Sequence, residues 1–217
     1  MAVQRVLTMP VTEAGGVLRL VRIALWGLVA LAVGMAAYLL LEARTATPSQ
    51  PAQSYASAIG GPFLLTDPAG KPVSNETLKG KPFAIFFGFT RCPDVCPTTL
   101  NRMAALRKAL GADRDKFNIV FVSVDPGHDK PADIGQYVAL FGTPIIGLTG
   151  TDAQIAQVVK AYHVFYEKVP QPGGDYTIDH TATVFLMGRK GEFVTTIDHQ
   201  EAQDTALAKL KRLIAAG

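Results

Sequence analysis

Three patterns of hydrophobic and polar residues divide the chain. Residues 23–41 are apolar and carry no charge, residues 42–59 are small, polar and twice interrupted by proline, and residues 60–217 alternate short apolar runs with segments of helical periodicity. The first pattern has the length of a helix that crosses a bilayer, the second has the composition of a flexible linker, and the third is typical of an α/β domain. The chain is therefore predicted to consist of an anchor, a linker and one domain.

The third segment predicts the elements of the domain. Continuous apolar runs indicate strands buried on both faces, and apolar residues at three- and four-residue spacing indicate helices, one of which should stop at Gly111. Strands and helices alternate, and the last two strands form a hairpin, so we expect an α/β sandwich around a central mixed sheet. The predicted strands are 62–67, 83–90, 118–124, 145–150, 181–187 and 192–198, and the predicted helices are 95–110, 131–142, 152–164 and one that starts near Glu201.

The apolar segment predicts a single transmembrane helix that is not cleaved. Its length exceeds the 7–15 residues of a usual signal-peptide core, although the small residues that follow it leave a cleaved signal as the alternative. Arg5, Arg19 and Arg22 precede the segment, so the positive-inside rule predicts that residues 1–22 are cytoplasmic and residues 60–217 are periplasmic. No long, arginine-rich presequence is present, which favours a bacterial inner membrane over a mitochondrial one.

Composition and charge exclude two classes of protein. The chain is 48% hydrophobic, which is too apolar for a disordered protein. Its formal net charge of +3 arises mostly before the predicted domain, which is itself nearly neutral. A nucleic-acid-binding protein carries a clustered basic face, and no such cluster occurs in the sequence. We therefore expect no nucleic-acid partner.

The chain has only two cysteines, Cys92 and Cys96, in the segment GFTRCPDVCPTTL. Two thiols are too few for a Cys₄ zinc site, and so short a loop adds little stability as a disulfide. The pair follows the predicted strand 83–90, where open α/β sheets bind ligands. Pro97 fits the first turn of a helix, and both the helix N-terminus and the neighbouring Arg91 favour thiolates. The cysteines are therefore predicted to be chemically active.

This cysteine pair allows either disulfide exchange or binding of a soft metal ion. Three residues separate the cysteines, whereas two separate those of the usual redox motif, so the spacing favours a metal. Thiolates select Cu(I), zinc or iron–sulfur clusters, and an imidazole adds affinity for copper or zinc. His128 and His180 are equal candidates for a third ligand, since each lies in a predicted loop. We expect His163 to be an ordinary helix residue and His199 to be solvated.

The chain resembles the Sco/SenC family in three segments: FGFTRCPDVCPTTL, FVSVDPGHDKP and DYTIDHTATVFLM. Proteins of this family are membrane-anchored and thioredoxin-like (peroxiredoxin-like), and they serve in assembly of the copper A centre of cytochrome c oxidase. The resemblance covers most of residues 60–217 and implies that Cys92, Cys96 and His180 bind copper, as Cu(I), Cu(II) or both. The family usually has Arg at the position of His128 and an Asp-Pro turn where this chain has MGRKG. The extra histidine leaves a weaker metal contact open.

Two functions follow from the resemblance. The first is a copper metallochaperone that is loaded by another periplasmic copper chaperone and serves oxidase subunit II, which carries the copper A site. The second is a thiol–disulfide oxidoreductase that reduces the cysteines of that site before metal arrives, with Cys92 and Cys96 as its catalytic redox pair. In the first function we expect Asp175 or Asp179 to orient His180. The chaperone is the preferred function and the oxidoreductase the alternative, and a chaperone could carry thiol–disulfide reductase activity as an accessory.

Overall fold

The computed structural model describes residues 14–45 and 58–216 of the chain. They belong to two compact units, one on each side of the boundary between Gln50 and Pro51. Most of the predicted linker and the first part of the predicted cytoplasmic segment lie outside the described residues.

The described part of the N-terminal unit is one helix, α1 (Ala14–Thr45). Within it, the segment Arg19–Leu39 is exposed and contains an 18-residue window with a mean hydropathy of 2.1. From Ile23 onward apolar side chains cover all sides of this stretch, a pattern that is compatible with lipid around the helix. By length and composition the helix can cross a membrane, and it contains the predicted span 23–41.

A five-stranded mixed sheet lies at the centre of the second unit, and two small antiparallel sheets accompany it. The strands are β1 (Leu64–Thr66), β2 (Pro72–Ser74), β3 (Phe83–Gly88), β4 (Asn118–Ser123), β5 (Ile146–Leu148), β6 (Tyr166–Pro170), β7 (Tyr176–His180), β8 (Val184–Met187) and β9 (Phe193–Ile197). The central sheet has the order β5-β4-β3-β8-β9, and the small sheets are β1-β2 and β6-β7. The helices are α2 (Asn75–Leu78), α3 (Val95–Ala109), α4 (Pro131–Ala139), α5 (Asp152–Ala161) and α6 (Gln203–Ala215), and a 3₁₀ turn spans Gly111–Asp113.

The central strand β3 is buried at every position, as its continuous apolar sequence predicts. It pairs in parallel with β4 and antiparallel with β8, and β8 pairs antiparallel with β9. The predicted mixed sheet with a terminal hairpin is therefore confirmed. Because β8 runs antiparallel to β3, it starts at the same end of the sheet at which β3 stops. The segment just before β8 and the segment just after β3 therefore meet at this end.

Aromatic side chains fill much of the core around β3. Phe87 contacts Tyr162 and Phe185, with ring centroids 5.2 and 6.1 Å away. Phe86 packs on Phe121 of β4, at 6.3 Å. Burying each such side chain contributes roughly 1.5–3 kcal/mol to folding, so the end of β3 that precedes the cysteines is a rigid support.

The most consequential error of the sequence prediction concerns residues 176–180, which the sequence places in a predicted loop. They form the strand β7, which pairs antiparallel with β6 around a turn that contains Gly173 and Gly174. Charged and exposed residues interrupt both strands, so neither has the continuous apolar run by which buried strands are recognised. The two-stranded sheet is separate from the central one.

His163 is not the helix residue that its sequence predicted. Helix α5 ends at Ala161, and His163 lies beyond it with a φ of 52°. Its Nε2 lies 3.2 Å from the carbonyl oxygen of Ala58. The chain turns here out of α5 and into the β6–β7 hairpin.

Candidate metal centre

The two cysteines lie where strand β3 passes into helix α3. Residues 89–94, hereafter the cysteine loop, connect these elements, and the helix begins at Val95, as predicted from Pro97. Cys96 is in the first turn of the helix and fully buried, whereas Cys92 is half-buried in the loop. The backbone N–H of Cys96 donates to the Cys92 sulfur over 3.4 Å. Both thiols are free.

His180 reaches this pair from the end of strand β7. Its Nε2 lies 3.2 Å from the Cys96 sulfur. Its Nδ1 lies 3.1 Å from the carbonyl oxygen of Thr181, so that Nδ1–H donates to the carbonyl and the Nε2 lone pair faces the thiols. The rings of Phe86 and Phe89 meet the imidazole edge-on, each with a centroid distance of 5.9 Å. The ring therefore has one tautomer and one orientation that suit a metal ligand.

The expected orienting carboxylates do not perform this task. Asp175 instead accepts two hydrogen bonds from Arg91, at 2.9 and 3.0 Å. Asp179 is exposed, and its carboxylate makes no hydrogen bond or ion pair among the described residues. A backbone carbonyl adjacent to His180 is an equally common orienting partner, and no side-chain pattern in a sequence reveals it.

Cys92, Cys96 and His180 form one group of candidate metal ligands. Their two sulfurs and one imidazole nitrogen all lie within 4.8 Å of one another. His128, the rival candidate for the third ligand, lies apart from this group, and its Nδ1 is 2.8 Å from the Tyr176 hydroxyl. His199 is partly exposed and approaches Thr99 at 3.4 Å.

The pair shares one negative charge unequally. The pKa of the Cys92 thiol is lowered to about 4, chiefly because the Cys96 side chain donates a hydrogen bond to its thiolate, which outweighs the cost of partial burial. The pKa of Cys96 is raised above the usual thiol range, since its proton is held by the Cys92 thiolate and its sulfur is buried. The sequence predicted thiolate character for both, and the structure gives it to Cys92 alone. Arg91 turns away from the thiols toward Asp125 and Asp175.

Gly88, the last residue of β3, leaves the space that the Cys96 sulfur occupies. A Cβ at this position would lie 2.6 Å from that sulfur and 3.1–3.2 Å from the rings of Phe121 and Phe86. Only a glycine fits such close approach of a side chain to a strand. The sequence signal was a single glycine at the end of an apolar run, and its purpose becomes visible only once the fold brings α3 against β3.

A second polar group, hereafter the Arg91 cluster, adjoins the thiols. Its members are joined around the carboxylate of Asp125, which is fully buried. That carboxylate accepts hydrogen bonds from the Tyr176 hydroxyl at 2.5 Å and from Arg91 at 3.2 Å, which hold its pKa below the usual range against the cost of burial. The Arg91 guanidinium lies 5.1 Å from the centre of the Tyr176 ring. The cluster consists of Arg91, Asp125, His128, Asp175 and Tyr176.

Comparison with known proteins identifies the family. The family model described as SCO1/SenC matches residues 51–215. The mitochondrial protein SCO2 of Saccharomyces cerevisiae is 38% identical over 163 residues, which cover 73% of this chain and 54% of that protein. The chain thus spans about half the length of this relative.

Two solved structures are also similar. The structure of Bradyrhizobium japonicum ScoI with copper bound is 49% identical, with a TM-score of 0.67, and the match covers 72% of this chain and 99% of that one. The second structure is that of BsSco, a member of the Sco family of cytochrome c oxidase assembly proteins in which a disulfide switch has been identified. It is 27% identical, with a TM-score of 0.59, and the match covers 74% of this chain and 96% of that one.

These matches agree with the architecture and the site. The fold is thioredoxin-like, as the family resemblance implies, with the central mixed sheet and flanking helices that the sequence pattern predicts. The matched residues contain both cysteines and His180. The chain belongs to the SCO1/SenC family.

Proposed function

We propose that this protein binds copper through Cys92, Cys96 and His180 and delivers it during assembly of cytochrome c oxidase. The observation that carries the proposal is the convergence of two sulfurs and one imidazole nitrogen within 4.8 Å. Two soft thiolates and one imidazole make a donor set suited to Cu(I). Similarity to ScoI, whose structure contains copper, and to BsSco, from a family of oxidase assembly proteins, supports the same assignment.

The burial of the ligands suits a carrier that must give up its ion. Cys96 is fully buried, whereas Cys92 lines a surface groove of about 220 Å³ together with His180. A receiving thiolate can therefore approach from the side of Cys92 and replace the ligands one at a time. The groove also borders Pro93 and Asp94 of the cysteine loop and residues 177–179 of β7, so a partner would meet both the loop and the hairpin.

The proposed setting is a bacterial inner membrane. Helix α1 holds the anchor, residues 1–22 face the cytoplasm, residues 42–59 form the linker and residues 60–217 form the periplasmic copper domain. The receiving partner is subunit II of cytochrome c oxidase at its copper A site, and the donor is another periplasmic copper chaperone. An anchored donor domain on a linker suits a receiver in the same membrane, because tethering raises the effective concentration of each for the other.

Reduction of the copper A cysteines is the second candidate function. The low pKa of Cys92 favours it, since a thiolate is the attacking form. The Cys92 thiolate would attack one sulfur of a target disulfide and release the other as a thiolate. Cys96 would then attack the Cys92 sulfur, which breaks the bond between Cys92 and the target and releases the second target sulfur, to which the proton of Cys96 passes. This step leaves a Cys92–Cys96 disulfide, and the target has gained two electrons. His180 takes no part in these steps.

A Cu(I) titration of the reduced full chain in detergent, against a competing chromophoric chelator, tests the first function. We expect one copper per chain, and we expect Cys92→Ser and His180→Ala each to weaken binding by at least tenfold, because each removes one of three ligands. The matched control is His163→Asn, which removes an imidazole outside the site and tolerates the positive φ there. Wild-type affinity in Cys92→Ser would refute the proposal.

The same variants separate the two functions. In His180→Ala, reduction of a disulfide-containing copper A domain should proceed at the wild-type rate while copper affinity falls. A different outcome would favour the reductase as the principal function. In that outcome the copper A domain would still acquire copper with His180→Ala, and it would fail to do so only when Cys92 and Cys96 of the variant had been oxidised beforehand.

A further inference from the structure

The β6–β7 hairpin carries His180 but is weakly attached to the rest of the domain. It forms its own two-stranded sheet. Among the described residues, the backbone groups of 166–180 make no hydrogen bond to the backbone outside the hairpin and its flanking residues. The distance between His180 and the thiols is therefore set by side chains rather than by a ladder of backbone hydrogen bonds.

Those side-chain contacts are concentrated in the Arg91 cluster. Tyr176 begins strand β7 and His180 ends it, so the two residues are fixed to the same strand. The Tyr176 hydroxyl donates to the buried carboxylate of Asp125, at 2.5 Å, and lies 2.8 Å from Nδ1 of His128. Buried Ile178 lies between Tyr176 and His180 and supplies the apolar contact. One end of the strand is thus tied to the loop that follows β4.

Arg91 ties the same strand to the cysteine loop. Its guanidinium bridges Asp175 and Asp125, at 2.9 and 3.2 Å, and it also lies 3.5 Å from the Tyr176 carbonyl oxygen. Because Arg91 directly precedes Cys92, any shift of the hairpin that breaks these bonds also moves the loop relative to His180. Breaking them would leave Asp125 buried without its partners, which is far more costly than losing a surface ion pair.

We infer that Tyr176, Arg91 and Asp125 are positioning residues that hold His180 against the two cysteines. The inference rests on the proposed copper site and adds to it a device that sets the third ligand in place. The hairpin can then move away from the cysteines and return as a unit. The strength of the Arg91 cluster determines what fraction of the time His180 lies close enough to the cysteines to bind a metal ion with them. Outer partners that orient a histidine ligand are typically worth 10- to 100-fold in metal affinity.

Tyr176→Phe tests the inference, since it removes one hydroxyl and retains the ring. In the full chain in detergent, Cu(I) affinity should fall by about tenfold, the lower end of the range for orienting partners. In a His180→Ala background the same substitution should have no further effect, because it acts through that histidine. The matched control is Tyr166→Phe, which lies opposite His180 in the hairpin and whose hydroxyl has no hydrogen bond among the described residues.

A measurement without copper distinguishes loosening of the hairpin from a general loss of stability. In the reduced protein without metal, hydrogen exchange of amides in 166–180 should be faster in Tyr176→Phe than in wild type, with β3 and β4 unchanged. If Tyr176→Phe does not fold, Arg91→Lys supplies the test, since it keeps the charge and loses the fork of donors.

Two results would overturn the inference. One is wild-type copper affinity and exchange in Tyr176→Phe. The other is an equal loss of affinity with and without His180. Neither would affect the proposed copper site, which depends on Cys92→Ser and His180→Ala and not on Tyr176.

Discussion

The half-buried Cys92 is the reactive thiol of the pair, and its ionisation has two consequences that can be measured. Its pKa of about 4 lies far below the value of about 8.5 for a thiol in an unfolded chain. Folding therefore favours the thiolate, and the resulting stability is present in full above about pH 8.5. It is lost as the pH falls toward 4. The contribution of Cys96 has the opposite sign, because its pKa is raised by folding. Its stabilising contribution is present in full below about pH 8.5 and is lost as the pH rises above that value.

Alkylation at mildly acidic pH should therefore distinguish the two cysteines. With iodoacetamide at pH 5–6, mass spectrometry should find Cys92 modified and Cys96 unmodified, because only a thiolate attacks and Cys96 is also buried. Cys96→Ala is the control, since it removes the principal hydrogen bond to the Cys92 sulfur and should shift the reaction to higher pH. Equal modification of both cysteines at pH 5 would contradict the assignment.

At the scale of residues, the proposed ligands could be named from the sequence, whereas the groups that support them could not. Cys92 and Cys96 were identified by spacing and flanking prolines, and His180 by resemblance. The Thr181 carbonyl that orients His180 belongs to the backbone, which every residue possesses. Asp125 and Tyr176 are 51 residues apart, and their hydrogen bond depends on a hairpin that was not predicted.

At the scale of elements, the contact between the end of β3 and the first turn of α3 determines where Cys96 lies. Gly88 has a conformation open to any residue, so its requirement is purely one of space. Gly147 of β5 is a comparable position remote from the thiols, because a Cβ there would lie 2.4 Å from the side chain of Ile134. The two glycines separate the effect of crowding the thiol from that of crowding the core.

Gly88→Ala should lower copper affinity by tenfold or more, because the new methyl group must displace the Cys96 sulfur. It should also destabilise the reduced protein by roughly 1–3 kcal/mol, the usual cost of overpacking, as measured by urea denaturation. Gly147→Ala should have a similar effect on stability and leave copper affinity unchanged. Equal copper affinity in the two variants would show that the sulfur does not depend on this space.

The buried elements were predicted well from the sequence because they are apolar throughout, as β3 and β4 show. The β6–β7 hairpin was missed because its stability depends on a few partly buried residues and on the Arg91 cluster. Helix α4 is shorter than predicted, ending at Ala139 rather than 142, since Leu140, 77% exposed, extends the apolar pattern without joining the core. Apolar sequence patterns predict elements that are stabilised by burial. They do not predict elements such as the β6–β7 hairpin, which depend on tertiary contacts between polar side chains.

At the scale of the whole molecule, we expect the apolar α1 to anchor the chain and the domain to fold and bind copper independently of it. The buried core lies entirely between Phe63 and Ile214 among the described residues, so the domain does not need α1 to fold. The proposed orientation predicts that protease added to intact spheroplasts degrades the domain and spares a fragment containing the anchor. A chain that starts at residue 58 should remain in the soluble fraction and bind copper as the full chain does. If the domain in intact spheroplasts were instead resistant to the added protease, the proposed periplasmic location of the domain would be wrong.

The unequal sharing of one proton between Cys92 and Cys96 also determines how the loaded and empty forms differ in charge. The empty site holds one thiolate and one thiol beside an imidazole whose Nε2 faces the thiol. When Cu(I) displaces the proton of Cys96, one monovalent cation replaces another, and the net charge of the site stays the same. An anionic membrane surface concentrates Cu(I) and protons by the same factor, so their ratio near the surface equals that in the bulk. The loading equilibrium should therefore be indifferent to lipid charge and to ionic strength, and it should change tenfold for each unit of pH.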